Sequence, residues 1–369
     1  MTGEILPNPG RLAEFEPRAL HPSDDPRPFH RTLPGYVVTP LVDAPELARD
    51  LGLHRLWIKV EAERLGLPAF KMLGASWATF RLLGSILEAR GFAPPAAPNL
   101  EDLRRAAAPL GPLTFAAATD GNHGRAVARM ASLLGCAARI LVPAGTAPAR
   151  IEAIESEGAQ VKVVDGTYDE AVREAAGLAS RNTLIVSDTS WEGYSQVPQW
   201  VIDGYRTIFS ELEEQLAGQR PDITAVQMGV GALAAAAAEA IDAETELVIV
   251  EPASAACGLR SAEAGRPTEV PGPHDSIMAG LNCGNVSPIA WPRVSRRADL
   301  FVTVGDDQAA RALRDLADID VVAGETGAAG LAGLRAAIAA NALEPAGRTA
   351  LVICTEGATD PESYDRSVL

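Results

Sequence analysis

Lysine is scarce in this chain of 369 residues, so each lysine is a candidate for amine chemistry. Of the 32 basic residues, only Lys59, Lys71 and Lys162 are lysines, and the remainder are arginines. Arginine stays protonated near neutral pH, whereas lysine can lose its proton and act as a nucleophile. Lys59 and Lys162 lie in strand-like runs, where a charge is expected to face solvent. Lys71 is therefore the principal candidate.

The neighbours of Lys71 are apolar or small. Phe70 and Met72 flank it at the start of a helical pattern, and Gly74 and Ala75 follow. An ammonium in such surroundings is expected to have a lowered pKa, because burial disfavours its charged form. The neutral amine could then attack the aldehyde of a cofactor. A lysine that extends its charge to the surface is the alternative interpretation.

A second candidate site is the run TDGNHG, Thr119 to Gly124, between a strand-like run and a helical run. Free backbone N–H groups at a helix start can bind an anion such as a substrate carboxylate. Asn122 offers a donor and an acceptor to a ring hydroxyl. Gly121 and Asn122 are equally typical of an ordinary strand-to-helix turn. His123 is predicted to be a packed, hydrogen-bonded loop residue.

A third site is a glycine turn before an alanine-rich helix. Its residues are Gly229, Val230, Gly231, Ala232 and Leu233. Glycines let the backbone close around a phosphate, whose charge the helix dipole favours. The turn is neither a Walker motif nor GxGxxG, which argues against a dinucleotide-binding oxidoreductase.

Two further strand ends carry polar groups. Cys354 and Thr355 end the last apolar run, where a hydroxyl could bond a pyridine nitrogen. Asp188 follows another strand-like run, and Tyr194 lies in the aromatic segment after it. Asp188 could receive a cationic group of a substrate, and helix capping is the alternative.

The elements that must position these groups alternate along the chain. Strand-like runs are predicted at Leu56–Val60, Thr114–Ala118, Arg139–Val142, Gln160–Asp165, Thr183–Ser187, Ala225–Met228, Leu247–Glu251, Phe301–Val304 and Ala350–Thr355. Helical runs separate most of them, which predicts an α/β fold with parallel sheets. Ligands in such folds gather at the carboxyl ends of the strands. Residues 1–30, rich in proline and acids, are predicted to form an irregular arm.

Composition excludes several classes of function. The formal net charge of -16 disfavours nucleic acid and anionic membranes as partners. No apolar run is long enough to span a bilayer, and the first residues do not resemble a signal peptide. The four cysteines lack CxxC spacing, so no metal site is expected. Whether Cys257 and Cys283 pair is left open. The expected location is the cytoplasm.

The order of the motifs resembles the fold-type II pyridoxal-phosphate enzymes, which include threonine dehydratase and the tryptophan synthase β chain. Within that group the sequence is similar to the diaminopropionate ammonia-lyases. The runs that carry the closer resemblance are AFKMLG, TDGNHG, DTSWEGY, SIMAGLNC and TEGATD. It extends over nearly the whole chain from about Phe29. Ala75 and Trp77 depart from the family, which often has Gly and Tyr there, and we expect Trp77 to reshape the pocket.

The resemblance implies two doubly wound parallel-sheet domains with the active site in the cleft between them. The predicted large, cofactor-binding domain comprises residues 31–75 and 190–369, and the smaller α/β domain comprises residues 76–189. Pyridoxal 5'-phosphate is the implied cofactor, and a homodimer is the family expectation.

The resemblance also assigns roles to individual residues. Lys71 would form the Schiff base, with Phe70 beside it, and Asn122 would contact the ring hydroxyl. Residues 229–233 would bind the phosphate. Thr355 would face the pyridine nitrogen, with Cys354 as the alternative.

The implied reaction eliminates ammonia from 2,3-diaminopropionate and yields pyruvate and ammonia. Lys71 or Asp120 would remove the Cα proton, according to the enantiomer. Asp120 and Asp188 would attract the second ammonium of the substrate. The substrate-binding residues would be Thr119, Asp120, Gly121, His123, Asp188 and Tyr194. Elimination from another β-substituted amino acid, as in serine or threonine dehydratases, and a non-catalytic amino-acid-binding homologue are the alternatives.

Overall fold

All nine β-rich runs predicted from the sequence form strands in the computed structural model, which describes residues 3–368. The strands are β1 (Ile5–Pro7), β2 (Leu41–Asp43), β3 (Arg55–Val60), β4 (Thr114–Ala118), β5 (Ala137–Pro143), β6 (Gln160–Val164), β7 (Thr183–Ile185), β8 (Ile223–Gln227), β9 (Glu246–Pro252), β10 (Leu300–Val304) and β11 (Thr349–Cys354). The sequence analysis missed β1 and β2, which are only three residues long.

Helices separate most of these strands. They are α1 (Arg27–His30), α2 (Pro45–Asp50), α3 (Lys71–Ala89), α4 (Leu100–Ala107), α5 (Asn122–Leu134), α6 (Pro148–Glu155), α7 (Tyr168–Ala176), α8 (Gln196–Leu216), α9 (Ala232–Ala240), α10 (Cys257–Ala264), α11 (Trp291–Arg297), α12 (Asp306–Ala317), α13 (Glu325–Ala339) and α14 (Pro361–Val368). Local signals fix several helix ends. Asn99 caps α4 through its side chain, and Thr167 forms a capping box with Glu170 at the start of α7.

The chain forms two units. Unit 1 comprises residues 3–19, Val38–Glu63 and residues 208–368, and unit 2 comprises Leu20–Val37 and Arg64–Thr207. These bounds differ from those of the predicted domains, because residues 31–37, 64–75 and 190–207 of the predicted large domain belong to unit 2. Helix α3 packs against α4 and α5, so the helix of Lys71 belongs with the helix of the TDGNHG run.

Unit 1 contains a sheet of seven strands in the order β1-β10-β9-β8-β11-β3-β2. Its five inner strands are parallel, and β1 and β2 are antiparallel edge strands. Every residue of β8 and β10 is buried, as expected for strands that are covered on both faces. The predicted parallel sheet is thus confirmed, and it aligns the carboxyl ends of β8 and β11.

Unit 2 contains a sheet of four parallel strands in the order β6-β5-β4-β7. The central strand β4 is followed by Thr119 and Asp120, and its neighbour β7 is followed by Asp188. Parallel strands present their carboxyl ends at one edge of a sheet. The topology therefore brings the two predicted acidic residues to the same edge.

The predicted irregular arm, residues 1–30, contains regular structure. β1 pairs with β10, with Ile5 opposite Val302, and so covers an edge that would otherwise expose unpaired backbone groups. Phe29 and His30 are fully buried, and the His30 ring lies 2.9 Å from Thr207 Oγ1. The prediction of an irregular arm therefore fails at β1 and α1. A few apolar residues anchor these short elements, and the many prolines and acidic residues around them hide that signal in the sequence.

The expectation for Lys59 was also wrong. Its side chain is fully buried in β3 and not exposed to solvent, and Nζ donates to Glu211 Oε2 at 2.9 Å. It also donates to the carbonyl oxygen of Thr39 and to Gln215 Oε1. Burial of a charge is tolerated where it is paired and hydrogen-bonded in this way. Lys162, by contrast, is about half exposed, as predicted, and it pairs with Glu174.

Candidate active site

Lys71 is the first residue of α3, and its amine is hydrogen-bonded to a buried carboxylate. Its Nζ donates to Asp188 Oδ2 at 2.7 Å. The side chain of Asp188 is buried, at 5% exposed. The side chain of Lys71 is 17% exposed, so a small molecule can still reach it. The Phe70 ring centroid lies 5.4 Å from Nζ. The structure therefore joins three predicted site residues.

The predicted lowering of the pKa of Lys71 is wrong. Burial acts to lower this pKa, but the negative charges of Asp188 and Asp120 and the nearby Tyr205 phenol outweigh it, and the pKa lies well above its ordinary value. Burial likewise acts to raise the pKa of Asp188, yet the positive charge of Lys71 holds it well below its ordinary value. The sequence analysis considered only the apolar neighbours along the chain and not the carboxylates that the fold brings in.

Two other polar side chains surround Asp188. Tyr168, at the start of α7, donates its hydroxyl hydrogen to Asp188 Oδ1 at 3.1 Å. His123 Nδ1 lies 3.9 Å from Asp188 Oδ2, too far for a hydrogen bond. Because His123 Nε2 lies 2.7 Å from the carbonyl oxygen of Val186, Nε2 is the nitrogen that carries the hydrogen. His123 is thus packed and hydrogen-bonded, as predicted.

The TDGNHG run is organised around the Thr119 hydroxyl. Thr119 Oγ1 accepts from the backbone N–H groups of Gly121 at 2.9 Å and Gly124 at 3.0 Å. Those two groups are therefore already occupied at the start of α5, which reduces the number that could bind an anion. Asn122 is the first helical residue and is partly buried. Asp120 is also partly buried, and its charge acts on Lys71.

Tyr194 holds the backbone that leads to Asp188. Its hydroxyl donates to the carbonyl oxygen of Ile185 at 2.8 Å and accepts from the N–H of Ser187 at 3.1 Å. Its ring stacks on Trp191, with centroids 4.1 Å apart. The segment from Asp188 to Tyr194 is thus a packed loop whose aromatic residues fix the position of the acid.

Trp77 lies in an aromatic cluster of unit 2. Its ring stacks on Phe80 at a centroid distance of 5.3 Å and lies 6.3 Å from Phe29. Ala75 is fully buried. The observed ring contacts of Trp77 are with aromatic residues and Arg81, so they give no support to the expectation that it reshapes the pocket.

Tyr168 and Tyr205 were missed by the sequence analysis. Tyr205, in α8, is fully buried with its ring centroid 4.6 Å from that of Phe70. Gly74 is required by this packing, because a Cβ atom there would lie 2.5 Å from Tyr205 Cε1. The position of Tyr168 just after β6 was a usable signal, since it places the residue near the carboxyl edge of the sheet. Tyr205 carries no such signal.

In unit 1, the glycine turn connects β8 to α9. Gly231 is the residue before the helix and has a φ of 101°, which a residue with a Cβ atom rarely adopts. Within residues 3–368, no side chain caps this helix start. Val230, Ala232 and Leu233 are buried, so the turn lies within the packed part of unit 1.

Thr355 follows β11 and is buried, and its hydroxyl oxygen accepts from Gln227 Nε2 at 2.8 Å. The Cys354 thiol instead contacts the carbonyl oxygen of Glu356 at 3.5 Å, and burial raises its pKa to about 12. Among the described residues, no cluster of His, Cys, Asp and Glu could hold a metal ion. No helix within the same residues is long and apolar enough to cross a membrane.

Comparison with known proteins places this geometry in a class. Residues 32–355 match the model of the pyridoxal-phosphate-dependent enzyme family, and the chain belongs to that family. Diaminopropionate ammonia-lyase of Escherichia coli is 36% identical over 363 residues, which cover 92% of this chain and 89% of that protein.

Solved structures agree with this relationship. The crystal structure of the Escherichia coli diaminopropionate ammonia-lyase in complex with D-serine superposes with a TM-score of 0.89 at 34% identity, covering 99% of this chain and 96% of that one. The same enzyme in complex with an aminoacrylate-PLP azomethine reaction intermediate gives a TM-score of 0.87. Within its family, the chain belongs with the diaminopropionate ammonia-lyases of fold type II.

Pyridoxal phosphate is the cofactor of this family, and the residues present fit it. Lys71 offers an amine for its aldehyde, and the uncapped start of α9 offers backbone donors for its phosphate. Thr355 offers a buried hydroxyl of the kind that can bond a ring nitrogen. These residues therefore offer one group each for the aldehyde, the phosphate and the ring nitrogen of the cofactor.

Proposed function

We propose that this protein catalyses the pyridoxal-phosphate-dependent elimination of ammonia from 2,3-diaminopropionate, giving pyruvate and ammonia. The observation that carries the proposal is the contact between Lys71 Nζ and Asp188 Oδ2 at 2.7 Å. It combines the amine that a pyridoxal enzyme needs with a carboxylate suited to a substrate that carries a second ammonium group. Family membership supports the same reaction.

Lys71 is proposed to hold the cofactor through its amine, with Phe70 beside it. Residues Gly229, Val230, Gly231, Ala232 and Leu233 are proposed to bind the phosphate, Asn122 the ring hydroxyl and Thr355 the ring nitrogen. When bound, pyridoxal phosphate supplies an electron sink that makes loss of the Cα proton feasible. Side chains of the protein are proposed to remove the Cα proton and to attract the charged group of the substrate.

The two acidic residues are proposed to have different tasks. Asp188 holds a proton of Lys71 and keeps that amine oriented, since its oxygens bond both Lys71 and Tyr168. Asp120 removes the Cα proton of the enantiomer that presents it away from Lys71, and Lys71 removes it from the other. Thr119, Gly121, His123 and Tyr194 are proposed to shape the substrate site, in part by fixing Asp120 and Asp188.

The pair of carboxylates also explains the choice of substrate. A β-ammonium group is attracted by Asp120 and Asp188, whereas the β-hydroxyl group of serine or threonine brings no charge to balance them. An uncompensated buried carboxylate is costly, so an uncharged substrate leaves an unfavourable site. The enzyme should therefore favour diaminopropionate over the hydroxy amino acids.

The test is an assay of the purified holoenzyme with D- and L-diaminopropionate, D- and L-serine and L-threonine. Formation of pyruvate and ammonia from diaminopropionate, with kcat/KM at least ten-fold above that for either serine, is the expected result. Higher turnover of serine or threonine would make the protein a dehydratase. No turnover of any amino acid, despite an intact absorbance band of bound cofactor, would indicate a non-catalytic binding protein.

The proposal also covers the partners, the location and the oligomeric state of the enzyme. The net charge of -16 supports a protein that binds neither nucleic acid nor membrane surfaces. We infer a cytoplasmic homodimer, by analogy with the family. Sedimentation of the purified holoenzyme at one subunit mass would contradict the dimer.

A further inference from the structure

Gln227, the last residue of β8, contacts the proposed ring-nitrogen ligand. Its Nε2 lies 2.8 Å from Thr355 Oγ1, 2.9 Å from the carbonyl oxygen of Thr326 and 3.1 Å from that of Ile353. Gln227 is 3% exposed and Thr355 is 1% exposed, so water does not compete for these bonds. Gln227 is also separated from the glycine turn by Met228 alone.

The orientation of the Gln227 amide is determined by its surroundings. Carbonyl oxygens only accept hydrogen bonds, so the group that faces Thr326 and Ile353 must be the NH2 group. If the amide were turned over, its oxygen would face two carbonyl oxygens without a hydrogen between them. The amide oxygen points elsewhere and has no hydrogen-bond partner among the described residues.

This orientation determines the role of the Thr355 hydroxyl. The NH2 group has two hydrogens, and the contact to Thr355 Oγ1 is its shortest, at 2.8 Å, so Thr355 Oγ1 accepts one of them. The hydroxyl hydrogen of Thr355 then remains available for another acceptor. Within the described residues, Thr355 Oγ1 makes no hydrogen bond as a donor. A pyridine nitrogen without a proton is such an acceptor. A protonated one would take the second lone pair of the hydroxyl oxygen and leave the hydroxyl hydrogen without an acceptor.

We infer that Gln227 is a positioning residue that makes the Thr355 hydroxyl a hydrogen-bond donor to the ring nitrogen of the cofactor and so keeps that nitrogen unprotonated. The inference rests on the role proposed above for Thr355. Gln227 does not touch the reacting atoms. It acts through Thr355, and it links the strand that ends in the proposed phosphate turn to the residue at the ring nitrogen.

The test compares holoenzymes that carry Gln227→Met, Thr355→Val, or both. The readouts are the absorbance of the bound cofactor as a function of pH, and the affinity of the apo-protein for added pyridoxal phosphate. Both single variants should move the absorbance curve in the same direction and weaken binding roughly 2- to 10-fold, the effect expected for one hydrogen bond. The double variant should match Thr355→Val alone, because both changes remove one interaction.

Two further variants complete the design. Thr224→Val, in the same strand, removes a fully buried hydroxyl that has no hydrogen-bond partner among the described residues, and should leave both readouts unchanged. Gln227→Glu keeps the size of the side chain and replaces the NH2 group by an oxygen, so it serves if Gln227→Met does not fold. The new carboxyl group should shift the absorbance curve in the same direction.

The outcomes separate the inference from the proposal on which it rests. A shifted curve for Thr355→Val with a wild-type curve for both Gln227 variants would overturn the role of Gln227 alone. Additive effects in the double variant would overturn it as well. A wild-type curve for Thr355→Val would overturn both the role of Gln227 and the proposed contact of Thr355.

Discussion

Lys71 Nζ lies 2.7 Å from Asp188 Oδ2, although 117 positions separate the two residues in the chain. Lys71 begins α3, and Asp188 follows β7. The carboxylate raises the pKa of Lys71, so the amine is present as an ammonium ion. The positive charge of that ammonium in turn lowers the pKa of Asp188. Proton exchange at this pair, and not a lysine that is already neutral, is the physical basis of the proposed chemistry.

The first prediction concerns the stability of this pair. Lys71→Ala in the apo-protein should lower the free energy of unfolding by about 2–4 kcal/mol at neutral pH, because it leaves Asp188 buried without its cation. Lys71→Ala combined with Asp188→Asn should recover most of that loss. Denaturant unfolding of the wild-type protein and of the two variants measures both effects. A double variant no more stable than Lys71→Ala would contradict the buried-charge argument.

The same lysine variant tests covalent attachment. Wild-type holoenzyme should keep its cofactor absorbance after borohydride reduction and dialysis, whereas Lys71→Ala should lose it. Lys162→Ala is the matched control, since that lysine is about half exposed and should leave the absorbance intact. A cofactor that remains bound to Lys71→Ala after reduction would place the attachment on another residue.

The sequence predicted the inner strands and the motifs, but not the electrostatics of the site. Strand runs such as Thr114–Ala118 are apolar nearly throughout, so their composition locates them. The pairing of Lys71 with Asp188 depends on contacts far apart in the chain, which a local pattern does not contain. The same is true of Lys59, whose partner Glu211 lies in another element. Short edge strands such as β1 are defined by their partner strand and carry too few residues for a periodic signal.

The second prediction concerns Asp120. Asp120→Asn removes a base but keeps the size of the side chain, so it should lower kcat for one enantiomer of diaminopropionate by roughly 10²- to 10⁴-fold. The other enantiomer should lose less than ten-fold, because Lys71 acts as its base. Steady-state rates with both enantiomers provide the measurement. Equal losses for the two would exclude opposed bases.

The third prediction concerns Tyr168, which donates to Asp188 at 3.1 Å. This hydrogen bond favours the carboxylate and contributes to the low pKa of Asp188. Tyr168→Phe should therefore raise that pKa, and the acidic limb of the profile of kcat/KM against pH should move to higher pH. Tyr364→Phe, in α14, is the control and should leave the profile in place. An unchanged acidic limb in Tyr168→Phe would show that Asp188 does not need this donor.

The last prediction concerns Glu251, which is fully buried at the end of β9. Burial raises its pKa to about 7 from an ordinary value of 4.5, although the N–H groups of Gly258 and Leu259 and the Cys257 thiol act against this shift. Between pH 4.5 and about pH 7, Glu251 is therefore protonated in the folded state and ionised in the unfolded state. The stability contribution of this group is present below pH 4.5 and is lost as the pH rises towards about 7.

Between about pH 5 and pH 7, the wild-type protein should lose on the order of 2–3 kcal/mol more stability than Glu251→Gln, which does not titrate. The comparison uses the difference between the two proteins, so other titrating groups cancel. Glu251 accepts hydrogen bonds from the N–H groups of Gly258 at 2.7 Å and Leu259 at 2.8 Å, and Gln can keep only one of them. This loss should lower the stability of Glu251→Gln by the same amount at every pH. Parallel curves of unfolding free energy against pH would show that Glu251 remains ionised in the folded protein, held by the amides at the start of α10.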